Sequence, residues 1–371
     1  MSKKILFVAN VCKEHILKFH VPTIKKMKDE GWIVDVACSG EEKVPYCDNQ
    51  FNMSWTRSPF SLKLLKGINE LKNIVNQNDY DIVYCHTPVG GIAGRIASVK
   101  ARKKGTRVIY FAHGYHFFKG APILNWILFY PIEKVLSYIT DGIFVINNED
   151  FQLTKNHFNK KLYLKKFPGI GIDFNRIKVS DSTKTRVEYR KQLGVGENEI
   201  LLIYVAEVIK NKNQGYLLEA LKEILKIQKS VKLLLVGPDH SNGIYLKEAK
   251  KLGISDKVIF TGWRNDVGEL LCASDICVAS SIREGFGINL VEAMYQNLPV
   301  VAVKNRGHLS CVVDGENGFL VSLDNPQEMA KRVKEIIENV HLYKKLINYD
   351  VTRFRADSIA ENIVNTIKTN F

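Results

Sequence analysis

No two cysteines of this sequence stand in a Cys-x-x-Cys arrangement. The seven present, Cys12, Cys38, Cys47, Cys85, Cys272, Cys277 and Cys311, are scattered over 371 residues. An odd, dispersed set excludes a disulfide framework and a zinc ribbon, and it points to a reducing, cytosolic compartment. Long hydrophobic runs are also missing. The most apolar stretch, Ala121 to Ile132, is too short to span a bilayer and contains Pro122 and Pro131. The first apolar run, Ile5 to Ala9, follows lysines but is shorter than a signal-peptide core and stops at Asn10, so it reads as a buried strand. No Gly-x-Gly-x-x-Gly follows that strand, which argues against a nicotinamide dehydrogenase. Helix-turn-helix, zinc-finger and RNA-binding aromatic motifs are lacking too, so nucleic acid is not an expected partner.

What is present describes a globular chain. Hydrophobic residues make up 46% and charged residues 25%, and 371 residues suit two domains of ordinary size. Lysine and arginine exceed aspartate and glutamate by 53 − 39 = 14. That surplus fits an anionic partner, either a phosphorylated small molecule or anionic lipid, or else a solvated face with no partner at all. Ala121 to Ile132, with Phe117, Phe118 and Lys119 before it and Lys134 after it, has two readings of its own. It is a helix packed on a sheet, the favoured one, or a segment lying on a membrane surface.

Short apolar runs alternate with amphipathic stretches throughout. Strands are expected at 5–8, 33–38, 82–85, 108–112 and 143–146, with helices at 22–30, 64–77, 91–103 and 123–138 between them. Phe167 to Asp173, with two glycines and a proline, and the polar stretch Ser180 to Arg190 interrupt the rhythm and mark a boundary. Strands then resume at 200–206, 231–236, 258–261, 276–279 and 300–303, with helices at 214–227, 245–252, 267–273 and 288–296. Strand-helix alternation at this spacing means parallel sheets covered on both faces. The expected fold class is therefore α/β, with two Rossmann-like, doubly wound domains.

The clearest chemical signal is a pair of carboxylates, Glu284 and Glu292, framing the turn Gly285-Phe286-Gly287 and the helix that opens at Ile288. Glycines at a strand-to-helix turn let backbone N–H groups approach a ligand, and the helix N-terminus adds partial positive charge, which suits a diphosphate. Glu292, a little over one turn into the helix, is placed to accept hydrogen bonds from vicinal hydroxyls such as those of a ribose. Glu284 could do the same for sugar hydroxyls on the other side of the phosphates. Without context, a glutamate near a helix N-terminus is commonly just a favourable dipole partner.

Context is supplied by Glu284-Gly-Phe-Gly-Ile-Asn-Leu-Val-Glu292-Ala-Met294 with Leu298-Pro-Val-Val-Ala302 behind it. Phe260 to Val267, Ala273-Ser-Asp275 and Asp314 to Val321 extend the pattern. This half of the chain resembles the donor site of the retaining glycosyltransferases of family 4, and within them the members that assemble bacterial capsules and exopolysaccharides. The resemblance implies the GT-B fold, in which two Rossmann-like domains face each other across a cleft. Residues 1–170 would form the acceptor-side domain, joined by a crossing helix at 354–371, and 171–353 the donor-binding domain. It implies a nucleotide-sugar donor, most simply a UDP-sugar, transfer with retention, and a glycan or lipid-linked acceptor at the inner membrane face.

Carried over residue by residue, the resemblance puts His113 and Glu284 nearest the transferred sugar. Lys212, Arg264, Gly285, Phe286, Gly287, Ile288 and Glu292 fall on the donor. Trp263 and Arg264 would flank the base, although Arg264 could instead pair with Asp266. Where relatives carry an arginine to grip the diphosphate this chain has Glu207, with Lys210 available to replace the charge. Relatives also carry a glycine-rich loop after the first strand; here Ala9 to His15 and Phe19 to Pro22 stand in its place, and Asn10 and His20 are the acceptor-side candidates. No cofactor and no metal are expected, because Asp79-Tyr80-Asp81 precedes its strand instead of following it. The alternatives are a nucleotide-sugar epimerase of the same fold and an inactive glycosyltransferase-like partner subunit.

Overall fold

A computed structural model describes residues 2–55 and 61–371. The chain divides into two compact units, residues 1–171 with 353–371 and residues 172–352. The first is built on seven parallel strands: β1 Lys4–Val11, β2 Ile33–Ser39, β3 Asn49–Asn52, β4 Ile82–His86, β5 Arg107–Ala112, β6 Gly142–Val145 and β7 Tyr163–Lys166, in the order β3-β2-β1-β4-β5-β6-β7. The second has six: β8 Ile200–Val205, β9 Val231–Val236, β10 Val258–Gly262, β11 Ile276–Ala279, β12 Val300–Val303 and β13 Gly318–Val321, in the order β10-β9-β8-β11-β12-β13.

Both orders reverse direction once, between β1 and β4 and between β8 and β11. At such a point the connections leave the sheet towards opposite faces, and a crevice opens beyond the carboxyl ends of the strands. The central strands are the near-continuous apolar runs that two covered faces demand, and Ile5 to Ala9 are wholly buried. Strands β3, β7 and β13 lie at sheet edges, and the first two have mixed composition, Asn-Gln-Phe-Asn and Tyr-Leu-Lys-Lys. For that reason hydropathy does not announce them.

Two segments differ from expectation. Ser180 to Arg190, expected as irregular boundary sequence, contains a helix over Ser182–Gln192 that belongs to the second unit. Its anchor is polar, so it carries no apolar stripe. Asp181 caps it by accepting from Lys184 N at 3.0 Å, and Arg186 and Arg190 both pair with Asp275, Arg190 also donating to Ala273 O at 3.0 Å. The second segment, Cys12–His20, stands where a loop was expected and is a wide, π-type helical turn that continues into the helix Val21–Asp29.

Helix Ala356–Asn370 packs in the first unit. Lys368 reaches Glu30 at 2.8 Å, Lys165 donates to Asn362 at 2.9 Å, and the Phe371 ring lies where a side chain at position 142 would stand, 2.5 Å from an added Cβ. Only glycine leaves room there. The apolar segment forms the helix Ile123–Leu136, which packs on the core through Trp126, Phe129, Tyr130 and Ile132 and leaves Ile123, Leu124 and Ile127 exposed. Behind it Glu133 receives a two-pronged pair from the fully buried Arg95, at 2.7 and 3.0 Å. Among the described residues no helix is long and apolar enough to cross a membrane.

Candidate active site

In the second unit the residues singled out from sequence gather at the switch point. Strand β11 ends at Ala279, and Ser280 to Gly287 lead into the helix Ile288–Tyr295. Gly287 is its N-cap, with no side chain accepting from the first turn. The orphan amides and the helix dipole are therefore not neutralised by a capping side chain. Position 287 must be glycine because of crowding and not because of its backbone angle: φ is −92°, but an added Cβ would sit 2.9 Å from Cys311 Sγ and 3.1 Å from Leu290. Phe286 is buried beside it.

Glu284 is half-buried and ion-paired with Lys212, and its Oε1 accepts from Ser281 Oγ at 2.7 Å. Lys212 comes from the other side of the switch point, at the end of a short turn, Lys210–Lys212, after β8. That turn is tied down in several ways. Ser280 Oγ donates to Lys212 O at 2.8 Å, Ile282 N to Asn211 O at 2.9 Å, and Asn211 Nδ2 to Arg283 O at 3.0 Å. Tyr204 bonds Ser281 at 2.6 Å, and burial pushes its phenol pKa well up, so it stays neutral.

Glu292 is buried, on the helix one turn further in, and is paired with Arg176 from the turn Phe174–Ile177. Beside it Phe174 stacks on Tyr295 with ring centroids 4.3 Å apart. Arg264 adopts the ion-pair alternative: its Nε donates to Asp266 Oδ1 at 2.7 Å, and Tyr189 donates to the same carboxylate at 2.9 Å. Trp263 is 71% exposed, leaving its face free to stack. Glu207 is exposed, and its backbone carbonyl, not its carboxylate, accepts from Gln214.

Sequence reading missed His308, which sits under this turn. Its Nδ1 donates to Val303 O at 2.6 Å, leaving Nε2 as a buried acceptor without a partner among the described residues. Burial brings its pKa down to about 4. Asn305 organises the same loop, donating to Ser281 O at 2.9 Å and accepting from Gly307 N and His308 N at 3.0 and 2.9 Å. A Cβ on Gly307 would meet Glu284 Cβ at 2.5 Å, so this loop sets where Glu284 stands. The His308 to Cys311 segment has no motif that names it; only its place after β12 brings it here.

The first unit repeats the arrangement. His113 follows β5, stacked on Phe111 at 4.6 Å, and Asn10 is the penultimate residue of β1, its Oδ1 buried and without a hydrogen-bond partner among the described residues. His20 lies within 5.4 Å of His113, ring to ring, so the two acceptor-side candidates and His113 share one edge of the sheet. Thr87 beside them has φ 63°, a strained value for a β-branched residue, held by its hydroxyl accepting from Asn10 N at 3.0 Å and Gly90 N at 3.3 Å. Gly90 presses on β1, where an added Cβ would lie 2.8 Å from Ala9 Cα. Asp79 and Asp81 lie at the opposite end of β4, where Asp81 accepts from Lys4 N at 2.6 Å.

Two family models match this chain: Glycosyl transferase 4-like over residues 4–147 and Glycosyl transferases group 1 over residues 185–352. It is 42% identical to EpsD of Bacillus subtilis (strain 168), a protein classed with the glycosyltransferases, over 93% of this chain and 90% of that one. The chain belongs to the glycosyltransferases. A second relative, the capsular polysaccharide biosynthesis glycosyltransferase CapM of Staphylococcus aureus, is 25% identical over 87% of this chain and 88% of its own length. In fold this glycosyltransferase is similar to Anabaena HepE, crystallised in complex with UDP and glucose, with a TM-score of 0.78 at 23% identity, covering 99% of this chain and 100% of that one. The two Rossmann-like units are those of a GT-B enzyme.

Proposed function

We propose that this glycosyltransferase moves a hexosyl or N-acetylhexosaminyl group, with retention, from a UDP-sugar to a glycan or lipid-linked acceptor in bacterial surface polysaccharide assembly. The observation that carries the donor assignment is the grouping of Lys212 and Glu284 at the uncapped start of the helix Ile288–Tyr295, with Glu292 one turn along it. A diphosphate at that start would take hydrogen bonds from first-turn amides and share the Lys212 ammonium with Glu284. Fixed donors aimed at the leaving diphosphate stabilise the charge that develops as the glycosidic bond breaks. Glu292 would bind ribose hydroxyls and Trp263 the base. Glu284 would accept hydrogen bonds from sugar hydroxyls. UDP in the HepE crystals and the capsular polysaccharide role of CapM support the choice of nucleotide and pathway class.

For the acceptor side, the exposed Ile123, Leu124 and Ile127, flanked by Lys119 and Lys134, suit peripheral contact with an anionic bilayer that presents a lipid-linked acceptor. No metal is assigned to the donor diphosphate.

The test is a panel of UDP- and GDP-sugars scored for thermal stabilisation and slow hydrolysis, with Glu292→Ala as control. One UDP-sugar should raise the melting temperature and be turned over, and the control should lose both. If no nucleotide-sugar stabilises the protein, the donor assignment is wrong. The anomeric configuration of the product, read by NMR, decides retention.

A further inference from the structure

The helical turn Cys12–His20 does more than replace a loop. It carries His15 and His20 to the ends of β4 and β5, where they meet His86 and His113. One ring nitrogen of each of the four lies within 4.8 Å of the other three. His15 Nε2 and His20 Nε2 are 3.1 Å apart, and His86 Nδ1 and His113 Nε2 are 3.5 Å apart. Three of the rings are buried and His113 is partly so. The group consists of imidazoles alone, with no carboxylate among them.

Such packing is costly for an apoprotein. Each 3.1 to 3.5 Å contact needs one proton between two nitrogens, while the far nitrogens His20 Nδ1 and His86 Nε2 are buried with no hydrogen-bond partner among the described residues. Buried polar groups normally find partners, and each one that does not weakens the fold. A cation at the centre of the four would take the facing lone pairs at once and remove the need for a shared proton in each contact, while the far nitrogens of His20 and His86 stay as they are. Zinc–imidazole bonds of about 2.0–2.1 Å in a tetrahedron put ligand nitrogens about 3.3–3.4 Å apart, a length that the two observed contacts bracket.

We propose that His15, His20, His86 and His113 form a binding site for one divalent transition-metal ion, with zinc the best match. Imidazole shells suit zinc, copper and nickel better than magnesium or calcium, which prefer oxygen. The neutral imidazole is the form that ligates a metal. With four protein ligands the shell is closed, so the role is structural. The ion clips the Cys12–His20 turn to the ends of β4 and β5 and fixes the strained Thr87 between them. It engages His113 through Nε2 and leaves Nδ1 for a sugar hydroxyl. The site is distinct from the donor diphosphate and does not depend on the UDP-sugar assignment.

The experiment uses the full chain without a histidine tag. After incubation with zinc and removal of excess, elemental analysis should find one zinc per chain, and X-ray absorption should show four nitrogen neighbours. Cobalt(II) should give the intense visible bands of tetrahedral coordination. His20→Gln and His86→Gln, which keep side-chain volume, should each weaken zinc binding at least about 100-fold against a chromophoric chelator, while His157→Ala leaves it unchanged. A zinc content far below one per chain overturns the proposal. So does binding that survives both glutamine substitutions in proteins with wild-type circular dichroism. Should a variant fail to fold, the absorption spectrum of the wild type decides alone: two or fewer nitrogen neighbours sink the idea. None of these readouts involves sugar transfer, so failure here leaves the proposed reaction standing, and the reverse is also true.

Discussion

Lys212 and Glu284 lie 72 residues apart in the chain and form one ion pair across the switch point of the second sheet. The lysine follows β8 and the glutamate follows β11, so the pair joins the two loops that leave the sheet on opposite faces. A ligand with its own negative charge must compete for that ammonium or share it.

Replacing Lys212 by methionine removes the fixed cation from the expected position of the diphosphate. The kcat/KM for the donor should fall about 100- to 1,000-fold, the usual range for losing one preorganised donor. Lys212→Arg should recover only part of it. Steady-state kinetics with the stabilising UDP-sugar gives the answer, and a loss under tenfold would place the phosphates elsewhere.

Glu292→Gln keeps the side-chain volume while removing the charge that faces Arg176. If the carboxylate also binds a ribose, UDP and UDP-sugar affinities should drop together, measured by calorimetry. The melting temperature should change by no more than a few degrees, because the amide keeps a hydrogen-bond acceptor at this buried position and Arg176, with its side chain 57% exposed, can turn to water. Equal affinities for wild type and variant would remove Glu292 from the nucleoside site.

The pH dependence of stability has a definite sign at His308. Its folded pKa is lowered, by burial, from 6.5 to about 4, so between those values the unfolded chain binds the extra proton. Stability from keeping this ring neutral is therefore complete above about pH 6.5 and is lost as pH falls towards 4, with a limiting slope of about 1.4 kcal/mol per pH unit. Melting curves between pH 4 and 7 should show that slope reduced in His308→Asn. Superimposable pH profiles would count against the assignment.

The exposed face of the helix Ile123–Leu136 offers a test of bilayer contact. Ile123→Glu with Ile127→Glu should abolish co-sedimentation with vesicles containing anionic lipid. The melting temperature should barely move, since both side chains are mostly exposed, at 77% and 63%. Wild-type protein that ignores such vesicles at low salt would disprove peripheral attachment outright.

Much of the architecture was legible in the residues. The runs at Ile5 to Ala9, Val231 to Val236 and Val300 to Val303 read as buried parallel strands because two covered faces force continuous apolar sequence. Strands β3 and β7 and the helix Ser182–Gln192 were not legible, because they are held by edge pairing or by arginine-to-carbonyl bonds and need no apolar periodicity. Of the candidate site, the glycine turn with its two glutamates stood out by residue type and spacing, and Lys212 only through the resemblance to family 4.

Sequence by itself determined the two doubly wound sheets and the glycine turn that carries Glu284 from β11 towards the helix of Glu292. Local pattern suffices for these, because strand-helix alternation leaves few topologies and each glycine or carboxylate acts within its own loop. Tertiary structure alone decided three things: that Arg264 pairs with Asp266, that His308 and Asn305 support the Glu284 turn, and that His15, His20, His86 and His113 converge. The last two depend on loops that are distant in the chain and adjacent only because parallel strands place their carboxyl ends side by side, whereas the first is a local pair completed by Tyr189 from a distant helix.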